Sequence, residues 1–368
     1  MGKVEIIKRG IVYKPKGKLS YCGWPTISRL QDGNLMAVFS GSRLKHVCPF
    51  GKTVACYSRD NGKTWTNPTE IINTPFDDRD GGVAVKGKQV LVTSFNNTLE
   101  FQRSDVERDA KHKQMINDYC DLFQDADVSQ VCSSIAVSED GGYVFGENYS
   151  VPITAPHGPI VLKDGRYCYV GTAFRPIVCD YSKLAFKPLE NGIYCMFSDD
   201  GYNWTQPQLV FLNNTMSTWC EPHVIELENG ELLVQIRVQL RADESFDKMY
   251  IYQTVSSDNI TKWSEPVSIG VDGAPPFLLR HSSGAIVCVY GKRTRPIAEM
   301  ATISYDEGKT WSEPFVIDGD AENGDMGYPS SIEMEDGSIF TIYYQHEQKG
   351  ENNYVKYTHW ALGENYEK

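Results

Sequence analysis

The chain has 368 residues, 48 of them acidic against 36 basic, and a formal net charge of −12. An acidic balance of that size argues against nucleic acid or an anionic membrane as the main partner, and no apolar run is long enough to span a bilayer. Ten cysteines show no Cys-x-x-Cys spacing; free thiols in strands (Cys56, Cys168, Cys195, Cys288) and an opening segment without a secretory signal fit the cytoplasm, or a secreted or periplasmic site if a leader has been removed.

The first clear element is a hairpin, Ile27-Ser-Arg-Leu-Gln-Asp-Gly33-Asn-Leu-Met-Ala-Val-Phe39, with apolar alternation on both sides of an Asp-Gly turn. It recurs with turns at Gly87, Gly165, Gly230, Gly284 and Gly337, which makes six copies. Between these copies a second signature recurs, with the pattern S-x-D-x-G-x-x-W. It runs from Ser58 to Trp65, Ser138 to Phe145, Asp199 to Trp204, Ser256 to Trp263 and Ser304 to Trp311, with Phe197 in the serine position, Ile260 in the glycine position and Phe145 as the aromatic. Ser and Asp bond their own turn, Gly takes the left-handed position, and the aromatic packs between neighbouring units.

The interval from Gly87 to Gly165 is 78 residues, against 53 to 65 elsewhere. Within it Ser104-Asp-Val-Glu107 reads as a capping box, and Val106, Ala110, Met115, Ile116, Tyr119, Leu122 and Phe123 follow at helical spacing. A helical insertion over 104–124 is expected in the second unit, covering a sheet edge rather than walling a site. The whole pattern predicts an all-β chain, one domain over 1–368: a six-bladed β-propeller of four-stranded antiparallel blades. The sixth box is missing where the two chain ends are expected to close one blade together.

In such a ring the innermost strand of each blade begins, and the second strand ends, at one mouth of the central channel. Nine residues before each Gly turn stand Trp24, Asp78, Pro156, Glu221, Pro275 and Tyr328, followed by Pro25, Arg79, His157, Pro222, Pro276 and Pro329. The return strands end near Arg43, Asn96, Arg175, Arg237, Arg293, Arg295 and His346. An acidic protein that gathers Arg43, Arg79, Arg175, Arg237, Arg293 and Arg295 at one opening implies a pocket for an anion, most simply a carboxylate held by guanidinium forks. Glu221 and Tyr328 share one offset, so the carboxylate is expected to reach the phenol and activate it as a nucleophile. No metal-ligand spacing stands out and no cofactor is expected.

With these residues in place, the chain resembles the sialidase (neuraminidase) superfamily of Asp-box, or BNR-repeat, propellers over nearly its whole length. Glu221-Pro-His through Arg237 resembles the segment that carries the nucleophile's glutamate partner and a carboxylate-binding arginine. Tyr328-Pro-Ser-Ser resembles the nucleophilic tyrosine strand, and Arg295, with Arg293 as substitute, matches the third arginine. Two departures fall together: Gly23 stands where the family has its first arginine, and Tyr344 where it has the supporting glutamate. The family's acid/base aspartate, between the first hairpin and the first box, is also absent; His46, Asp78 or Asp80 could replace it.

The resemblance implies an exo-glycosidase that releases a terminal acidic sugar by attack of Tyr328, with Glu221 as its base, Asp80 or His46 as acid/base, and arginines and His157 around the substrate. A uronate-type lyase, with Tyr328, His46 or His157 abstracting a proton, and a carbohydrate-binding propeller without turnover are the alternatives. The partner in each case is an acidic carbohydrate.

Overall fold

A computed structural model describes residues 4–107, 109–177, 179–184, 186–215, 217–240 and 248–363. Residues 1–3 of the opening segment, Arg108 of the expected helix and the last five residues of the expected domain lie outside the described residues.

Among the described residues the strands form six antiparallel sheets arranged as the blades of a propeller. The first blade is built from Tyr21–Arg29, Leu35–Arg43, Lys52–Ser58 and Thr69–Ile72, and the second from Arg79–Lys86, Gln89–Phe95, Ser133–Ser138 and Tyr149–Val151. In the third blade the innermost strand is split into Ile153–Thr154 and Ile160–Val161, both paired with Tyr167–Ala173. The fourth and fifth start at Thr218–Glu226 and Pro276–Arg280, and the sixth at Gly327–Glu333. The sixth blade takes its outermost strand from the other end of the chain: Glu5–Tyr13 pairs with Tyr354–Ala361, with Glu5 opposite Ala361.

The apolar alternation of each strand has a direct use here. The buried side chains fall into clusters that join one blade to the next. Leu35, Phe39 and Val54 of the first blade meet Phe340 and Ile342 of the sixth. Met36, Val38, Val90 and Val92 join the first blade to the second, and Val170, Cys195, Val234 and Ile236 join the third to the fourth. The ring is therefore held by the hydrophobic effect at its seams, while backbone hydrogen bonds hold each blade. All ten cysteines are unpaired, with Cys168 and Cys195 packed at 3.6 Å between sulfurs.

Each box lies between the third and fourth strands of a blade, and four of the five work through their hydroxyl and carboxylate. Ser304 Oγ donates to Asp306 Oδ1 at 2.8 Å and accepts from Gly308 N at 2.9 Å, while Asp306 Oδ1 also accepts from Thr310 N at 2.8 Å. The third box is one residue shorter than its pattern suggested. Ser198 and Asp200 take the two roles, at 3.1 Å, and Ser198 Oγ accepts from Gly201 N at 2.8 Å, so Phe197 replaces nothing. In the fourth box, Asp258, Asn259 and Ile260 are all left-handed, and Asp258 pairs with Lys262.

The insertion is a helical hairpin, α1 (Leu99–Val106) and α2 (Lys113–Leu122), rather than one helix over 104–124. Ser104 is no cap: its hydroxyl donates to Phe101 O, and the helix begins earlier, where Thr98 Oγ1 accepts from Phe101 N at 3.0 Å. Val106, Ile116 and Cys120 pack against Leu44, Cys48 and Phe50, and Lys45 pairs with Asp105 at 2.8 Å. The insertion thus buttresses the first blade's 44–50 loop at the channel mouth.

Asp306→Ala removes three accepted hydrogen bonds from one exposed turn and is expected to destabilise the protein by about 1–2 kcal/mol. Urea unfolding should show a lower midpoint with an unchanged slope.

Candidate active site

Four innermost strands carry the same irregularity at the channel mouth. Strand pairing skips two residues in each: Trp24-Pro25, Asp80-Gly81, Glu221-Pro222 and Tyr328-Pro329. The first residue of each pair has φ between 52° and 57°, in the left-handed region that non-glycine residues rarely enter. The second is Pro, which has no N–H to lose from the ladder, or Gly81, where a Cβ would come within 2.6 Å of Val38. The bulge takes Trp24, Asp80, Glu221 and Tyr328 out of the alternation of their sheets and brings them together at the mouth.

Tyr328 donates its hydroxyl proton to Glu221 Oε1 at 2.6 Å. Arg237 Nη1 donates to Glu221 Oε2 at 2.6 Å and to Tyr328 Oη at 3.2 Å. Arg293 lies over the Tyr328 ring, 5.5 Å from its centre, with Nε and one Nη free of protein partners. Burial pushes the Glu221 carboxyl up, but Arg237, the Tyr328 hydroxyl and Arg293 outweigh it, so Glu221 stays below its ordinary range and is ionised. Burial, reinforced by the Glu221 charge, raises the Tyr328 hydroxyl well above its usual value, so the phenol is neutral. Burial also lifts Asp80 to about 7, with Arg79 opposing and Glu221 adding.

A second cluster faces this one across Trp24. His46 Nδ1 lies 3.0 Å from Asp325 Oδ1 and its Nε2 lies 3.3 Å from Arg79 Nη2. Tyr21 and Tyr344 both donate to Asp325, at 3.0 and 3.1 Å. Burial raises Asp325, yet the His46 bond and charge, Arg293 and the Tyr21 hydroxyl hold it down at about 2. The imidazole stands edge-on to Trp24 at 4.8 Å between ring centres, and Tyr328 flanks the same indole at 6.4 Å.

The arginines divide into groups with different roles. Arg43 is fully buried: it donates to Ser40 Oγ and His46 O, each at 2.7 Å, and pairs with Asp77 at 2.7 Å. It therefore anchors the loop that carries His46 and does not face the opening. Gly51 leaves room for it, since a Cβ there would sit 2.0 Å from its Nη1. Arg79 stacks on Trp24 at 4.1 Å, between Asp77 at 3.7 Å and Asp80 at 3.8 Å. Arg175 is exposed, bonds Leu189 O and lies over Tyr181, apart from the Tyr328 group. Arg295 is exposed as well, and Arg293 occupies the place near Tyr328 instead.

His157 is not at the mouth. It lines a cavity of about 250 Å³ inside the channel with His223, Phe277 and Thr26, and its Nδ1 lies 3.0 Å from Thr26 Oγ1. Asp78 is misplaced by counting back from Gly87, because that hairpin is tighter: Lys86 pairs directly with Gln89, where the first blade pairs Arg29 with Leu35. Asp78 points away and accepts from Thr74 N at 2.6 Å, which leaves Asp80 as the channel residue. Asp325, Tyr21 and the role of Tyr344 were missed. A usable signal existed, for Asp325 and Asp77 each stand three residues before a bulge residue. Gly23 and Tyr344 do fall together, with the Tyr344 ring 3.7 Å from where a Gly23 Cβ would be. Among the described residues no three His, Cys, Asp or Glu side chains are placed to hold a metal ion.

A six-bladed propeller with box turns defines the class of fold. A BNR repeat-like domain is matched over residues 124–341, more than half of the chain, and the protein belongs to that family. No curated protein matches it. Among solved structures, a Dyadobacter fermentans protein of unknown function superposes with a TM-score of 0.76 at 18% identity, covering 98% of this chain and 99% of that one. A Trypanosoma rangeli sialidase bound to the inhibitor DANA has a TM-score of 0.60 at 16% identity over 92% of this chain, which spans 55% of the sialidase. A Penicillium chrysogenum α-L-arabinanase complexed with arabinobiose has a TM-score of 0.61 at 16% identity, covering 98% and 99%. At these identities the likeness shows a sialidase-like propeller fold, shared with glycoside hydrolases.

Two stability predictions follow from the charges. Arg43→Ala removes the 2.7 Å partner of the buried Asp77 carboxylate, leaving Arg79 at 3.7 Å and the Gln102 amide, and should cost about 3 kcal/mol in urea unfolding. Asp80 has a folded pKa raised above its unfolded value, so the folded state holds a proton that the unfolded state releases between pH 4 and about 7. Its contribution should therefore weaken as pH rises through that window, by at most ~1.4 kcal/mol per pH unit. Asp80→Asn should flatten this slope and unfold at higher urea than wild type at pH 8, with little difference at pH 4.

Proposed function

We propose that this protein is an exo-acting glycosidase that releases a terminal carboxylated sugar, sialic acid or a relative of it, with Tyr328 as nucleophile. The observation that carries the reading is the 2.6 Å hydrogen bond from a neutral Tyr328 to an ionised Glu221, with the free guanidinium edge of Arg293 beside it. A phenol is a poor nucleophile until a base takes its proton, and Glu221 is in reach to do so as attack begins. A neutral nucleophile suits an anionic sugar, because a carboxylate in its place would be repelled by the substrate's own charge. Arg237 lies against both partners, so it stabilises Glu221 at rest and the developing phenolate during attack. The Arg293 fork is the natural holder of the substrate carboxylate. The sialidases among the structural relatives add support from fold alone.

A panel of chromogenic acidic glycosides, beginning with a sialoside, tests the reading. Tyr328→Phe is expected to lower kcat by about 10³-fold or more while the free acid product still binds. Near-normal turnover in that variant would remove tyrosine as the nucleophile. Arg293→Ala should raise KM about 10- to 100-fold through loss of charge-assisted hydrogen bonds. A product with a new ultraviolet-absorbing double bond would mean elimination instead of hydrolysis.

A further inference from the structure

The glycosidase reading leaves one part unassigned: the group that protonates the leaving oxygen and later activates water. The candidate carboxylate on the channel floor, Asp80, has a side chain only 7% exposed and lies 3.8 Å from Arg79 Nε. In an exo-acting pocket the sugar fills the floor and the leaving group points to solvent, so its proton donor must stand at the rim. His46 does: its side chain is 42% exposed and that of its partner Asp325 is 35% exposed.

Resting on that reading, we propose that His46 is the acid/base residue of this site, with Asp325 as the positioning residue that orients its ring. The ring's orientation is settled by its neighbours. Arg79 can only donate, so in the neutral imidazole Nε2 accepts from it at 3.3 Å and the proton sits on Nδ1, directed at Asp325. Asp325 is itself fixed by Tyr21, Tyr344 and the amide of Asn353, which donates to its backbone carbonyl at 2.7 Å. The loop bearing His46 is pinned by Arg43, through the His46 carbonyl, and by the α1–α2 hairpin. With Nδ1 held by Asp325, Nε2 is the ring atom that can exchange a proton with substrate, once the substrate displaces the Arg79 contact; the indole of Trp24 lies beside both His46 and Tyr328.

The steps balance. In the first, Glu221 takes the Tyr328 proton as Oη bonds to the anomeric carbon; the glycosidic C–O bond breaks and the leaving oxygen takes the proton from His46 Nε2. In the second, His46 Nε2 takes a proton from water as the water oxygen bonds to the anomeric carbon. The C–Oη bond breaks and Glu221 returns the proton to the Tyr328 oxygen. One water is consumed and every group regains its starting state.

The groups that face the imidazole set its pH behaviour. Burial lowers its pKa below the ordinary value, Asp325 draws it back up, and Arg79 and Arg43 push it down, while Tyr21 and Trp24 complete the surroundings. The acid form is thus present only below a pKa lower than the ordinary imidazole value, and kcat should fall as pH rises through it.

The test uses His46→Gln and Asp325→Asn in the full chain, with binding of the free acid product as the check on folding. For His46→Gln, kcat/KM on an alkyl glycoside is expected to fall ~10²- to 10⁴-fold. On a nitrophenyl glycoside, whose leaving group needs no proton, the same parameter should fall far less, and azide should restore kcat and yield a glycosyl azide. Asp325→Asn should lower kcat and move the alkaline limb of the pH profile to lower pH, since it removes the charge that raises the imidazole pKa. Equal losses on both substrates without azide rescue, or an unmoved limb in Asp325→Asn, would overturn the assignment to His46 while the glycosidase reading stands. A wild-type protein inert towards every acidic glycoside would instead sink the reading on which the assignment rests.

Discussion

A left-handed residue at the start of an innermost strand is the constraint on which the arrangement of the candidate site depends. Ordinary β backbone would send alternate side chains into the seams between blades, where Val, Ile and Leu belong. At Trp24, Asp80, Glu221 and Tyr328 the chain breaks that alternation, skips two positions of the ladder and turns the side chain to the channel mouth. Each such residue costs on the order of 1–2 kcal/mol in backbone strain. The apolar seams around the ring supply the compensating stability. Side chains far apart in sequence thereby become neighbours: Glu221 and Tyr328 share a hydrogen bond because two blades use one bulge, not because a loop wandered between them.

Charge is distributed around that framework in two layers. Arg43 and Asp77 neutralise each other below the surface and fix the loop above them, so a buried ion pair acts here as a mounting for His46. Arg237 and Arg293 belong to the upper layer, where guanidinium groups keep unpaired edges. Trp24 separates the layers and links them, because Arg43, Arg79, His46 and Tyr328 all meet its ring. Where the sialidases resembled in sequence would carry an arginine and its glutamate, Gly23 and Tyr344 make room for an aromatic wall that ends in Asp325. On the proposed function, fewer arginines would hold the anion than in the resembled family, and the vacated side would serve His46 and Asp325 instead.

The features legible from sequence were those written locally. A box turn is a hydroxyl and a carboxylate bonding their own backbone, so Ser304 and Asp306 announce themselves within a few residues. Glu221 and Tyr328 were legible because hairpins of equal length carry the bulge at one offset. The same count gave Asp78 instead of Asp80 because the Gly87 hairpin is tighter, and a count cannot sense that. Arginines at strand ends were legible as positions but not as directions: Arg175 and Arg295 turn to solvent, while Arg43 turns inward to Asp77. Asp325 sits in a connecting loop with no periodicity, and its importance arises from Tyr21, His46 and Tyr344, which only the closed ring brings to it.

The pairing of Glu5–Tyr13 with Tyr354–Ala361 reaches beyond architecture. During synthesis on the ribosome the opening strand has no mate until the last one emerges, so the seam between the sixth and first blades stays unzipped throughout translation. Tyr328 belongs to that late blade and Trp24 to its waiting neighbour. The polypeptide therefore cannot assemble this mouth piecemeal: a nascent or clipped chain, however well its middle blades have formed, lacks the pair of Glu221 and Tyr328 in its closed ring.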